Sequence, residues 1–152
     1  MRRTDKEIAK EEIEKILHGN KICRIALARN NIPYIFPMNY GFSNNAIYLH
    51  SASDSTKLDI IRENPAVCFE ISDSIEIAHS EKACSFGTKY RSVIGHGKIK
   101  IIEDPVEKKE SLQQLMRQHT NTENWELDGK LMQKVAALRI EIKSISGKKS
   151  GF

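Results

Sequence analysis

The sequence predicts a mainly β chain with peripheral helices, its antiparallel strands closed or half-closed into a barrel. Three observations predict it. Short runs of apolar residues at period 2 recur along most of the chain, bounded by turn residues. Helical segments are few and do not alternate with the strands, so the βαβα rhythm of a doubly wound parallel sheet is absent. Neighbouring strands are joined mostly by tight turns, the connection that antiparallel pairs use.

The elements follow in order. Residues 6–18 read as a helix with Ile13, Ile16 and Leu17 on one face, stopped by Gly19-Asn20. Ile22 to Ala28 reads as a strand and Arg29-Asn30-Asn31 as a turn. Pro33 to Phe42 is extended, because Pro37 cannot sit inside a helix; it marks a sheet edge or a bulge. Asn44-Asn45 is a turn, and Ala46 to Ser51 a strand with Ile47 and Leu49 alternating against Tyr48 and His50. Ser53 to Glu63 reads as a short helix capped by Ser53, Asp54 or Ser55 and ended by Asn64-Pro65. Ala66 to Ile71 is a strand. Ile75 and Ile77 begin another, and His79 to Thr88 reads as a loop. Lys89 to Glu103 is a long strand with Gly95 and Gly97 inside it. Asp104-Pro105 opens a helix with the stripe Leu112, Leu115, Met116 and His119. Asn121 to Trp125 is a loop, Lys130 to Gln133 a helical turn, and Val135 to Ser146 a final strand. The total is five to seven strands in one domain spanning residues 1–152.

With 152 residues, 39% apolar and 29% charged, the chain is long enough for one real core and too apolar to be disordered. No apolar run reaches the roughly 20 residues that a bilayer span needs, and the basic N-terminus has no apolar stretch behind it, so a cytoplasmic protein is expected. A net charge of +4 is too mild to imply nucleic acid and suits a small anionic ligand. Three cysteines without a C-x-x-C pair argue against a disulfide framework or a thiolate zinc site; Cys23 and Cys68 read as core residues. The five histidines show no metal-ligand spacing.

Three runs carry residues suited to chemistry. In His50-Ser51-Ala52-Ser53-Asp54-Ser55-Thr56-Lys57 a strand ends, hydroxyls cluster and a helix begins, so free N–H groups and Lys57 converge as in a phosphate cradle. Ordinary capping with a solvated lysine accounts for the same run. In Lys89 to Gly97, period 2 puts Tyr90, Ser92 and His96 on one face and Arg91 and Val93 on the other. Glycines 95 and 97 leave room for a flat ring or a partner subunit, or let a strand bend at a barrel corner. In Pro37-Met38-Asn39-Tyr40-Gly41, free backbone amides and the Asn39 side chain suit a planar heterocycle, and an edge-strand turn explains them as well.

Together these runs resemble the pyridoxamine 5'-phosphate oxidase-like flavoproteins, in particular the nitroimidazole-resistance (Nim) branch. The matching pieces are Arg2-Arg3, Pro37-Met38-Asn39-Tyr40-Gly41, Tyr48-Leu49-His50-Ser51-Ala52 with Lys57-Leu58, Asn64-Pro65-Ala66-Val67-Cys68-Phe69, Tyr90-Arg91-Ser92-Val93 with Gly97, and Ile145-Ser146-Gly147-Lys148. Their order holds over nearly the whole chain. The resemblance implies a six-stranded antiparallel split β-barrel that forms a homodimer, with flavin mononucleotide (FMN) in each cleft between subunits. It implies that Met38, Asn39 and Tyr40 line the isoalloxazine, that His50 and Ser51 flank the flavin and its ribityl chain, and that Lys57 meets the phosphate. Tyr90, Arg91, Ser92 and Val93 would form the facing wall, and His50 would stand nearest the chemistry. Two positions depart from the family pattern: Ser55 where glycine is frequent, and Phe86 where tryptophan is common. The implied activity is FMN-dependent reduction of a small electrophile such as a nitroaromatic. The alternative is a non-catalytic flavin, deazaflavin or haem binder with His50, His79 or His96 as an axial ligand. Pyridoxamine-phosphate oxidation proper is disfavoured, because Gly147 to Phe152 lacks the arginine- and histidine-bearing motif that grips that substrate.

Overall fold

A computed structural model describes residues 6–120, 122, 125–126 and 128–152. Six strands, β1 (Ile22–Arg29), β2 (Ile32–Ser43), β3 (Ala46–Ala52), β4 (Ala66–Ala78), β5 (Gly87–Ile102) and β6 (Val135–Ser150), close into a barrel in the order β1-β2-β3-β6-β5-β4. Every pairing is antiparallel. The first two hairpins turn on Asn30-Asn31 and Asn44-Asn45, all four at positive φ, the left-handed conformation that a two-residue hairpin of the right twist requires and that Asn tolerates.

Four helices surround the barrel: α1 (Lys10–Gly19), α2 (Thr56–Glu63), α3 (Pro105–His119) and α4 (Gly129–Gln133). Helix α1 plugs one end with Ile13, Ile16 and Leu17, and the buried Tyr40 hydroxyl donates to the Leu17 carbonyl at 2.6 Å. It starts at Lys10 rather than residue 6, because Glu7 and Ile8 are drawn into pairing with Lys148 and Gly147 at the end of β6. Helix α2 closes the opposite end with Leu58, Ile60 and Ile61. Helix α3, capped by Asp104, lies outside the barrel against β2, β3 and β6. Its approach is close enough that a Cβ on Gly41 would sit 2.6 Å from the Leu115 Cα.

Two strands run further than their sequence pattern suggests. β4 continues through a bulge at Ser74 to Ala78, pairing with β5 up to Gly87, so Ile75 and Ile77 extend β4 rather than begin a new strand. The loop expected over His79 to Thr88 is shortened to residues 79–86, with the turn Ala83–Ser85 inside it, at the tip of a projecting hairpin. Its Ile75, Ile77 and Phe86 are exposed, and without a buried face the arm shows no clean alternation. β6 reaches Ser150, where Lys149 pairs with Glu12 of α1 at 2.9 Å instead of trailing into solvent. Cys23 is core, and burial pushes its thiol up to about 12, whereas Cys68 lies half-buried on the outer face of β4. The Asn121 to Trp125 loop falls mostly outside the described residues, as do Arg2 and Arg3.

The barrel is split along β2. That strand pairs with β1 from Ile32 to Asn39 and with β3 only from Tyr40 to Ser43. One edge of β2 before Tyr40 therefore has no strand beside it among the described residues, and Pro37 sits in that stretch, where a missing N–H costs nothing.

Candidate functional site

The phosphate-cradle residues assemble beside the split. Ser55 takes the extended N-cap conformation (φ −79°, ψ 134°), but its hydroxyl makes no capping bond. The first amides of α2 are thus left without a side-chain acceptor at the positive end of the helix dipole. Lys57, in that first turn, donates to Ser51 Oγ at 3.3 Å and lies 5.2 Å from the centroid of the Phe36 ring. Phe36 belongs to the stretch of β2 that pairs with β1 alone, so hydroxyl, ammonium and helix terminus converge at the split.

Met38 and Tyr40 point into the core, the second fully buried, so neither side chain is presented at the surface. Asn39 projects outward and is exposed. His50 and Ser51 leave opposite faces of β3, as period 2 demands. Ser51 faces the barrel end with Lys57, whereas His50 faces out beneath α3. There His50 lines a cavity of about 280 Å³ with Leu112, Leu115, Met116, Met132 and Val135. Desolvation, then the charges of Lys57 and His119, hold its pKa below the ordinary imidazole value, which favours the neutral ring at pH 7. His119 Nε2 donates to the Tyr40 carbonyl at 3.0 Å. In the sequence His119 is legible only as the last position of an apolar helix stripe, and apart from His50 and that stripe the residues of the cavity carry no motif.

The β5 segment lies elsewhere. Val93 is core. Arg91 is held by Asp73, Nε to Oδ1 at 2.8 Å and a second nitrogen to Oδ2 at 3.3 Å, with Ser74 Oγ at 3.2 Å. Asp73 also accepts from Asn20 at the end of α1. Val93 pairs with Ile71 near the α1 end, while Ile99 binds the Pro65 carbonyl just after α2. Six residues of strand separate them, roughly 20 Å. Among the described residues Arg91 is bonded to Asp73 and Ser74, and Lys57 to Ser51, so the two segments share no hydrogen bond within one protomer. Gly95 and Gly97 make room for the barrel's own interior: a Cβ at Gly95 would enter the buried Phe69 ring, and one at Gly97 would strike the Glu141 carbonyl.

The sequence matches the family model of pyridoxamine 5'-phosphate oxidase over residues 9–149. An uncharacterized Rhizobium meliloti protein is 32% identical over 66 residues, a stretch covering 43% of each chain. Among solved structures, a Bacteroides thetaiotaomicron protein described as a candidate 5-nitroimidazole antibiotic resistance protein superposes with a TM-score of 0.82 at 27% identity, over 93% of this chain and 85% of that one. A Mycobacterium smegmatis protein described as binding FAD and heme gives a TM-score of 0.86 at 20% identity, over 97% and 74%; at that identity the likeness is one of fold. Among the described residues no helix is long and apolar enough to cross a membrane.

Proposed function

The chain belongs to the pyridoxamine 5'-phosphate oxidase family, and from that premise we propose that it is a cytoplasmic FMN-binding oxidoreductase, active as a homodimer on small electrophiles such as nitroaromatics. One observation carries the reading: an uncapped helix start with Lys57 and Ser51 opens onto the split beside a strand edge that no other strand covers. The donor set fits a phosphomonoester, since amides, a hydroxyl and an ammonium all donate, and the first-turn carboxylate Asp59 is paired with Arg62 at 3.0 Å. When bound, a flavin supplies the electron-transfer chemistry, and the protein supplies binding and electrostatics. In this reading Lys57 and the α2 amides hold the phosphate, and the segment Met38-Asn39-Tyr40 orients the ring system through the Asn39 backbone on the open edge of β2. His50, kept neutral, offers a hydrogen bond to a substrate approaching from the outer side of β3.

A second copy explains the β5 residues. Among the described residues Tyr90 and Ser92 make no hydrogen bond to the Lys57 and Ser51 cradle of their own protomer. They fit a cleft completed by two-fold symmetry, where one copy's β5 faces the other's α2. Ile35 of β2 and Ile94 of β5 stand uncovered on the outside of the barrel, on the surface that such a dimer would bury.

The absorption spectrum of the purified protein tests the cofactor. A flavin spectrum is expected, with the ligand released by heating identified as FMN. A Soret band, or failure to take up added FMN, would overturn the assignment. Reduction by NAD(P)H followed by reoxidation with a nitroaromatic separates an enzyme from a flavin carrier.

A further inference from the structure

Strand β3 has two faces, and the phosphate cradle uses one. On the other, His50, Leu112, Leu115, Met116, Met132 and Val135 bound the cavity of about 280 Å³, with Glu126 and Asp128 from the segment leading into α4 completing the wall. The size is near the lower end of small-molecule pockets, which begin at roughly 300 Å³, and suits one or two rings. Its surface is mostly aliphatic and thioether, and methionine sulfur contacts aromatic edges favourably.

The charges are one-sided. Among the described lining residues the two formal charges are both carboxylates, and no lysine or arginine is present. Lys108 lies nearby, but its Nζ donates to the Met132 carbonyl at 2.6 Å and is not part of the lining. Asp128 Oδ1 accepts from the Lys130 amide at 2.8 Å, which fixes that carboxylate at the start of α4. An anion entering this cavity would leave water for a wall carrying like charge, whereas a cation would find charge-assisted partners. The remaining polar lining residue is His50, whose ring is held neutral chiefly by desolvation. A ligand with a positive charge for the carboxylates and an uncharged ring for the Met and Leu side chains matches this lining.

We propose that this cavity is a second ligand site, taking a small ring compound that carries a protonated amine, with the ring among the Met and Leu side chains and the ammonium at Glu126 and Asp128. The cavity is the place where the reading above brings a substrate to His50, and the proposal deepens that reading by naming the ligand class it takes; binding there, unlike turnover, does not require the flavin.

Calorimetry on the full-length protein, with and without added FMN, tests it using benzylamine, benzyl alcohol and benzoate as probes. Benzylamine should bind saturably, about tenfold or more tighter than benzyl alcohol, the scale of one charge-assisted hydrogen bond, and benzoate more weakly than either. Glu126→Gln with Asp128→Asn should erase the preference for the amine while benzyl alcohol still binds. Met116→Trp should fill the cavity and abolish binding of both. If its thermal melt shows that this variant does not fold, Met132→Phe serves in its place and should at least weaken both. Absence of saturable benzylamine binding, equal affinity for benzoate, or an amine preference that survives the double substitution would overturn the proposal. Displacement of benzylamine by FMN would also overturn it, by assigning the cavity to the flavin. Flavin uptake that fails while benzylamine still binds would sink the flavin reading alone.

Discussion

Replacing Lys57 with alanine separates a phosphate ligand from a structural lysine. In the free protein the ammonium makes one hydrogen bond, to Ser51 Oγ at 3.3 Å, and faces the Phe36 ring at 5.2 Å. A long neutral-acceptor bond and a partly solvated cation–π contact contribute on the order of 1 kcal/mol together, so the fold should hold. If a phosphate occupies the cradle, the same ammonium makes a charge-assisted bond in a corner already walled by Phe36, and its removal should weaken FMN by about 1.5–3 kcal/mol. That is roughly a ten- to a hundred-and-fifty-fold rise in Kd. Riboflavin lacks the phosphate and should bind the variant as it binds the parent. Titration followed by quenching of flavin fluorescence measures both ligands on one preparation, with a thermal melt as control. Equal losses for FMN and riboflavin would show that Lys57 serves the fold or the ring, and the cradle argument would fail.

Three further outcomes are expected. His50→Ala should leave the protein folded and dimeric, since the side chain is exposed on one side, while turnover of a nitroaromatic acceptor falls by roughly ten- to a hundred-fold; an unchanged flavin-reoxidation rate would remove His50 from the site. Light scattering should show a dimer at micromolar concentration, with an interface of more than about 2,000 Å², and Ile94→Glu, on the uncovered face, should weaken it; a monomer that retains flavin refutes the shared cleft. Gly95→Ala should destabilise the protein by about 1–3 kcal/mol, because the new methyl overlaps the Phe69 ring in a filled core. Chemical denaturation measures it, and a variant as stable as the parent would mean that the interior is looser than the contact implies.

The sequence by itself determined the local elements. The Asn-Asn turns, the period-2 runs and the Asp104-Pro105 helix start depend on neighbours within a few residues, and each appears where its pattern lies. It also held the opposite orientation of His50 and Ser51, because alternation is a property of any strand. The bulged arm of β4 and β5 stayed hidden, since a strand pair with no buried face leaves no apolar rhythm to read. Tertiary structure decided the rest. Whether Lys57 and Tyr90 to Val93 share a site depends on barrel register and on which helix closes which end, and both are set by pairings between residues far apart in the chain. The cavity at His50 depends on where α3 and α4 come to rest on the outer face of β3, and His119 gains its partner from Tyr40, 79 positions away. Side-chain period fixes which way a residue points from its own strand; only long-range packing fixes what stands opposite.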